Sequence, residues 1–319
     1  MPTWSGIVAE VNAATAEGAA SGLDVVRRKY LAQLAAHTGR NVIVYATAWT
    51  QSRAISPLDI MIVEEDVQGL MEVVHGLLDK SPLDLVLHSP GGSPEATEAV
   101  VSYLRSKFSH VRVYVPYAAM SAATMLACAA DEIVMGKHSF LGPIDPQFVL
   151  SGPNGPRTSP ARAIVDQFRM AMKECSGDPT AALGWTPMLG QYGPALLVQC
   201  ENALAMSENL VAEWLHKYML RDKLPEEARV VAQRLNDHAE FKSHSRHISR
   251  EKAAEIGLTV GALEDDQTTQ DLVLSIFHAV TLLFSATPVV KLLENHNGRL
   301  FAKATAVPTP APPPTSLAV

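Results

Sequence analysis

The stretch PYAAMSAATMLACAADEIVMG, residues 116–136, decides how this sequence is interpreted. It continues the apolar strand pattern VRVYVP (111–116), then places one serine, Ser121, before a run of small residues. Alanine is the strongest helix former, so the run 122–130 predicts a helix. The pattern EIVM (132–135) predicts the next strand. Ser121 is therefore expected at the junction between a strand and a helix.

A second junction of the same kind lies upstream, in LDLVLHSPGGSPEATEAVVSYLRSK (83–107). Residues 83–88 form a strand pattern, a Pro-Gly-Gly turn follows, and a helix begins near Ser93 with Pro94 in its first turn. Strands that alternate with helices predict a parallel sheet. In such a sheet both junctions lie at the carboxyl edge, where α/β proteins build their sites.

The residues at these two junctions suit an oxyanion hole. A Gly-Gly turn presents backbone N–H groups without an obstructing Cβ. A serine at a helix N-terminus adds the free N–H of Ala122 and a partial positive potential. Converging N–H groups near a hydroxyl stabilise the oxyanion of acyl transfer. Either feature alone is typical of an ordinary turn or an N-cap, but their occurrence at neighbouring junctions favours a catalytic serine.

Composition excludes several classes of function. The chain has 319 residues, is 47% hydrophobic and carries a net charge of −7, and it contains no basic run and only 6% aromatics. Nucleic-acid binding is therefore not expected. Cys128, Cys175 and Cys200 are scattered and odd in number, which predicts reduced thiols of a cytoplasmic protein rather than disulfides or zinc ligands. The N-terminus lacks the pattern of a secretory signal.

The rest of the chain is predominantly helical in pattern. A buried strand is expected at 41–49, and residues 141–161, rich in Pro and Gly, are expected to form a long loop. The apolar stretch 272–286 is expected to be a packed or oligomer-facing helix rather than a membrane span. A short helix in SREKAAEIGL (249–258) is expected to end at Gly257, which would be its C-cap. Helical patterns occupy 22–38, 65–80, 162–174, 195–220 and 225–236.

Three segments, LDLVLHSPGG (83–92), VPYAAMSAATMLACAADEIVMG (115–136) and LGPIDPQ (141–147), resemble the serine dehydrogenase proteinase family, a soluble branch of the Clp-protease/crotonase superfamily. The resemblance runs from about residue 25 to 260. It implies an α/β fold, the ClpP/crotonase-like ββα superhelix with extra helices in the C-terminal half. It also implies a serine peptidase acting on a peptide or protein substrate, and a homo-oligomer.

The domain organisation expected on this basis has four parts. They are an N-terminal helical segment (1–39), a catalytic domain (40–265), a C-terminal helical extension (266–304) and a disordered Pro-rich tail (305–319).

The resemblance implies Ser121 as nucleophile, with the backbone N–H groups of Gly92 and Ala122 as the oxyanion hole. It does not supply the general base directly. Where Clp proteases have a histidine, this chain has GPIDPQF with Asp145. Where signal-peptide peptidases have a lysine, it offers Arg162, which stays protonated and cannot act as a base.

The segment FKSHSRHISREKAAEIGL (241–258) is similar to the family's Thr-His-containing segment and contains His244. A rearranged triad, Ser121–His244–Asp145, satisfies the logic of nucleophile, base and orienting carboxylate, because geometry and not chain order defines a triad. His88, Lys173 and Lys242 remain alternative bases. His247, three residues after His244, could compete with it or form a metal half-site, but no matching ligand pair is nearby, so no metal is expected.

Two other functions remain open at this point. One is a crotonase-like acyl-CoA enzyme, which shares the oxyanion hole and needs no serine. The other is a scaffold or binding protein with decayed catalytic machinery. Dehydrogenase chemistry has no support, because the chain lacks both a G-x-G-x-x-G fingerprint and a lysine beside a Gly-rich phosphate cup. No cofactor is therefore expected.

Overall fold

The computed structural model describes residues 2–152, 155–190 and 192–305. The helices of these residues, in chain order, are α1 (Trp4–Ala16), α2 (Gly22–Thr38), α3 (Pro57–Ile60), α4 (Glu65–Val74), α5 (Pro94–Lys107), α6 (Ala122–Cys128), α7 (Ala161–Gly177), α8 (Ala182–Leu189), α9 (Leu196–Lys217), α10 (Pro225–Asn236), α11 (His238–Phe241), α12 (Arg250–Ile256) and α13 (Gln267–Ala286).

The strands are β1 (Asn41–Thr47), β2 (Leu83–His88), β3 (Val111–Val115), β4 (Ala118–Ala119), β5 (Glu132–Met135), β6 (Phe140–Leu141), β7 (Gln147–Gly152), β8 (Gly155–Pro160), β9 (Ile248–Ser249), β10 (Val260–Ala262), β11 (Val289–Asn295) and β12 (Leu300–Ala304).

Seven strands form the main sheet, in the order β10-β5-β3-β2-β1-β11-β12. The first five are parallel, while β11 runs antiparallel to β1 and β12 antiparallel to β11. Every residue of β1 and β2 is buried, which explains their near-continuous apolar sequences. The predicted parallel sheet is therefore present, and two antiparallel strands extend one edge.

Helices cover both faces of this sheet. On β1, Ile43 and Tyr45 point into a core shared with α4, α5 and α6, whereas Val42 and Val44 point into a second core shared with α2 and α13. This alternation follows from the two-residue period of a strand. The sheet is thus sandwiched between two helical layers.

The segment 266–304 is not an all-helical extension. Helix α13 is present, but β11 and β12 follow it and complete the main sheet. The sequence pattern did not predict β11, because Lys291 and Glu294 interrupt its apolar run. Both charged residues are buried and paired with distant partners. The predicted tail, 305–319, lies outside the described residues except for Thr305.

Two smaller expectations also differ from the structure. Residues 141–161 are not a single loop, because β6 begins the segment and the hairpin of β7 and β8 follows. Helix α4 ends at Val74 rather than near residue 80, because Gly76 adopts a φ of +80° and turns the chain. Gly257 does cap α12, with a φ of +116°.

Within the described residues, α13 is the one helix long and apolar enough to cross a membrane, and 61% of its apolar window is buried inside the protein. Its apolar side chains pack against α2 and the main sheet, as those of a core helix do.

A second, three-stranded sheet holds the junctions singled out in the sequence. Its order is β4-β6-β9, with β4 parallel to β6 and β9 antiparallel to β6. Ala119 pairs with Leu141, and Leu141 pairs with Ile248. Residues that follow β4, follow β6 or precede β9 therefore all lie at one end of this small sheet.

Candidate active site

Ser121 stands between β4 and α6 in a strained conformation. Its φ of 51° and ψ of −122° lie where residues other than glycine are rarely found. The side chain does not cap α6, and its hydroxyl has no hydrogen-bond partner among the described residues. The alternative of an ordinary N-cap therefore does not hold. Strain of this kind is typical of functional positions.

The Gly-Gly turn packs directly on this serine. Gly91 has a φ of +94°, and a Cβ on it would lie 2.5 Å from the Met120 carbonyl oxygen and 2.7 Å from the Ala122 nitrogen. The same Cβ would lie 2.9 Å from the Cβ of Ser121. No side chain fits there, so glycine is required at position 91.

The backbone N–H groups of Gly91, Gly92 and Ala122 differ in whether they have a hydrogen-bond acceptor. The Gly91 N–H donates to the Ser89 hydroxyl over 3.2 Å. Neither the Gly92 N–H nor the Ala122 N–H has an acceptor in the described part of the chain. The structure thus leaves free the two N–H groups that the sequence singled out.

Asp145 and His244 contact each other directly. Nδ1 of His244 lies 2.7 Å from Oδ1 of Asp145, and the carboxylate is completely buried. Gln147 Nε2 donates to the other oxygen over 2.9 Å. The His244 side chain is 25% exposed, and its Nε2 has no hydrogen-bond partner among the described residues.

The small sheet explains why these residues share one region. Ser121 follows β4 by two residues, Asp145 follows β6 by four, and His244 precedes β9 by four. Because β4 and β6 are parallel and β9 is antiparallel, all three segments leave the sheet at the same end. The topology therefore brings the predicted nucleophile, carboxylate and histidine to one end of a common scaffold.

Asp145 also contacts a second histidine, which no sequence pattern indicates. His238, the first residue of α11, places Nδ1 3.1 Å from Oδ2 of Asp145. Nothing in the local sequence distinguishes it, because the contact depends on how α10 and α11 fold back over the loop after β6. The site therefore contains a buried carboxylate between two imidazoles.

His88 is not placed to act as a base. It is completely buried, and burial lowers its pKa from 6.5 to about 4, although a hydrogen bond to the Ala118 carbonyl opposes the shift. Its ring packs among Trp49, Tyr117 and Phe277. It is therefore a neutral histidine of an aromatic cluster.

The remaining candidates lie elsewhere. His247 stacks on Phe140, with ring centroids 3.6 Å apart. Lys173 lines a surface hollow along α7, and Lys242 is exposed at the end of α11. Cys128, at the end of α6, is buried, and burial raises the pKa of its thiol to about 12. Among the described residues there is no group of three or more His, Cys, Asp or Glu that could hold a metal ion.

A cleft of about 670 Å³ opens beside this site. The hairpin of β7 and β8 and the helices α7 and α8 form its walls, and His238 lies at its edge. Most of its lining is apolar, with Arg157 and Asp166 as charged groups. His238 lines the cleft and also contacts Asp145, so the cleft adjoins Asp145 through this histidine.

Comparisons with known proteins agree with this architecture. Residues 19–174 match the sequence profile of the family described as ClpP-like SDH-type serine proteinase. The matched segment includes Ser121 and Asp145 and ends before His238 and His244.

Two similar proteins are uncharacterized proteins of Methanocaldococcus jannaschii. MJ0137 is 28% identical over 204 residues, which are 64% of this chain and 62% of that protein. MJ1495 is 35% identical over 91 residues, which are 28% of this chain and 31% of that protein. The match thus spans less than two thirds of the length of either relative.

Among solved structures, a mutant of the 1510-N membrane-bound stomatin-specific protease matches 63% of this chain and 75% of its own, with a TM-score of 0.36 and 16% identity. At that level of similarity it assigns no residues here. The profile match is the stronger comparison: residues 19–174 are similar to the ClpP-like SDH-type serine proteinase family, and the α/β fold is ClpP-like.

Proposed function

We propose that this chain is a serine peptidase that hydrolyses peptide bonds through an acyl-enzyme on Ser121. The proposal rests on a combination of four kinds of group at one end of the small sheet. A strained serine with an unpaired hydroxyl stands beside two free N–H groups, and a partly exposed histidine is oriented by a buried carboxylate. These are the components that acyl transfer requires.

In the proposed first step, the Ser121 hydroxyl oxygen attacks the substrate carbonyl carbon while His244 Nε2 accepts the hydroxyl proton. Asp145 fixes the tautomer with the proton on Nδ1 and stabilises the imidazolium that forms. The Gly92 and Ala122 N–H groups donate to the oxyanion. His244 then gives its proton to the leaving amine as the carbon–nitrogen bond breaks.

In the second step, water attacks the ester carbonyl of the acyl-enzyme, and His244 accepts a proton from that water. The tetrahedral intermediate collapses, the bond to Ser121 breaks, and His244 returns the proton to the serine oxygen. The products are a free carboxylic acid and the regenerated hydroxyl. The apolar cleft walled by the β7–β8 hairpin is the proposed place for substrate side chains, because it adjoins Asp145 through His238.

We also propose that the active species is a homo-oligomer. Apolar residues of helices α7 and α8 outside the cleft stay exposed, among them Met172 and Leu183, and exposed apolar side chains are typical of association surfaces. Light scattering on the purified chain tests this: a mass that is a multiple of 34.3 kDa supports it, and a monomer at micromolar concentration contradicts it.

Hydrolysis of unfolded, fluorescently labelled casein tests the peptidase function. We expect wild-type protein to release peptides and Ser121→Ala to release none, with new termini identified by mass spectrometry. Equal cleavage by both proteins would show that Ser121 is not the nucleophile.

A further inference from the structure

A buried ion pair lies behind the Gly-Gly turn and takes no part in the proposed chemistry. Lys291 on β11 and Asp66 on α4 are each 1% exposed. The Lys291 ammonium lies 2.7 and 3.0 Å from the two Asp66 oxygens and donates to the Met61 carbonyl over 2.7 Å. Tyr45 donates its hydroxyl proton to Asp66 over 2.6 Å.

The presence of this pair calls for a reason other than stability. Removing two charges from water carries a large desolvation penalty, and apolar residues of similar volume often stabilise a core as well or better. Burial lowers the pKa of Lys291, which reflects that penalty, while Asp66 opposes the shift. What an apolar pair could not do is form hydrogen bonds to particular backbone atoms.

Those hydrogen bonds end on both sides of Ile62. Lys291 donates to the Met61 carbonyl, and Asp66 accepts from the Val63 N–H over 2.9 Å. The backbone on either side of Ile62 is therefore fixed by the buried pair.

Ile62 in turn holds the Gly-Gly turn. Its N–H donates to the Gly91 carbonyl over 2.8 Å, and its carbonyl accepts from the Ser93 N–H over 3.0 Å. This is a single parallel bridge between Ile62 and Gly92. Gly92 lies between the two residues that bond to Ile62, and in a parallel bridge the N–H of such a residue points away from the partner segment. The Gly92 N–H therefore stays free.

The contact is too close for any other residue at position 92. A Cβ on Gly92 would lie 2.3 Å from the Ile62 carbonyl oxygen and 2.4 Å from its nitrogen. The orientation of the Gly92 peptide is therefore tied to the position of Ile62.

We propose that Lys291 and Asp66 are positioning residues of the active site: they fix residues 61–63, and through Ile62 they keep the Gly92 N–H aimed at the oxyanion. This inference rests on the proposed peptidase function. Neither residue touches substrate. Their effect would be on the transition state, because an N–H aimed at the oxyanion matters most when charge develops there.

The test uses two matched double variants. Lys291→Met/Asp66→Leu replaces the pair by apolar side chains that cannot bond to Met61 or Val63. Arg27→Met/Glu294→Leu does the same to another buried pair that also involves β11 but has no link to the turn. Asp66→Asn is a conservative third variant that keeps the shape of the site.

Hydrogen exchange of the peptide covering 89–95 is the readout independent of activity. The Ser93 amide is hydrogen-bonded to Ile62, so we expect its protection to fall in Lys291→Met/Asp66→Leu and to stay at the wild-type level in Arg27→Met/Glu294→Leu. We expect a smaller loss in Asp66→Asn.

Casein or peptide hydrolysis is the second readout. We expect kcat to fall roughly 100-fold or more in Lys291→Met/Asp66→Leu, the order found when one oxyanion donor is lost, with KM nearly unchanged. Unchanged exchange together with a kcat equal to that of the Arg27/Glu294 variant would overturn the proposal. If wild-type protein hydrolyses nothing, the peptidase proposal fails, and the exchange result still decides whether the pair holds the turn.

Discussion

His244 Nδ1 lies 2.7 Å from Oδ1 of Asp145, although 99 residues separate them in the chain. The carboxylate stands in GPIDPQF, where the resemblance to Clp proteases leads one to expect a histidine, and the histidine comes from a later segment. The small sheet β4-β6-β9 makes this exchange of roles possible, because it gathers the three chain segments at one end.

The two histidines on Asp145 are predicted to contribute unequally. His244→Ala removes the proposed general base, so we expect kcat to fall about 10²–10⁴-fold. His238→Ala removes one hydrogen bond to the carboxylate, so we expect a loss of roughly tenfold. The measurement is steady-state peptide hydrolysis, with the exposed His75→Ala as control. A larger loss for His238→Ala would assign the base to His238 instead.

Gly91→Ala is predicted to inactivate the protein through contact with Ser121. The new methyl would press on the Met120 carbonyl and the Ala122 nitrogen, and displacement of a nucleophile by about 1 Å can cost on the order of 100-fold in rate. Gly18→Ala is the matched control, since Gly18 has a similar φ of +90° but nothing within 4 Å of the added Cβ.

We expect Gly18→Ala to lose about 1 kcal/mol of stability from backbone strain and to keep wild-type activity. Wild-type kcat/KM in folded Gly91→Ala would contradict the close packing of the turn on the nucleophile.

His88 is predicted to make the fold sensitive to acid. Its folded pKa of about 4 lies below the ordinary 6.5. Between these values the unfolded chain binds a proton that folded His88 does not, so the free energy of unfolding falls as pH falls from 6.5 to 4. The contribution is roughly 3 kcal/mol in all.

Urea unfolding at pH 7 and pH 4 measures this effect. We expect His88→Phe to lose less stability than wild type over that interval, while the surface variant His75→Gln follows wild type. Equal losses in His88→Phe and wild type would show that His88 is not the sensitive group.

The buried pair of Arg27 and Glu294 is predicted to anchor the edge of the main sheet. Glu294 is fully buried and also accepts from Arg28 over 2.7 Å. Glu294→Gln removes the buried counter-charge of Arg27 and leaves it only the partly exposed Asp24 at 2.7 Å, so we expect a loss of about 3 kcal/mol. Glu72→Gln, which breaks an exposed pair with Arg299, should cost under about 1 kcal/mol. Equal costs in urea unfolding would contradict an anchoring role.

The sequence predicted those parts of the fold whose pattern is local. Strand 83–88 and helix 225–236 have the predicted bounds, because an apolar run between turn residues and a 3.6-residue period mark them clearly. It failed for β11, where buried Lys291 and Glu294 break the apolar pattern and are compensated by partners more than 200 residues away. It failed also for the β7–β8 hairpin, whose Pro- and Gly-rich sequence resembles a loop.

The candidate site divides along the same line. The sequence predicts the roles of Ser121 and the Gly-Gly turn, because a strand pattern ends and a helix pattern begins within a few positions of each. The pairing of Asp145 with His244 came from the resemblance and from triad logic. His238 and the buried pair behind the turn carry no local signal, since their roles depend on contacts between distant elements.

Labelling by a fluorophosphonate is the sharpest test of Ser121 as nucleophile, because the reagent reports an activated serine without knowledge of the substrate. We expect one label per wild-type chain, located on Ser121 by mass spectrometry, no label in Ser121→Ala and markedly slower labelling in His244→Ala, all three folded by circular dichroism. Folded wild-type protein that takes up no label, or a label that persists in Ser121→Ala, would contradict it.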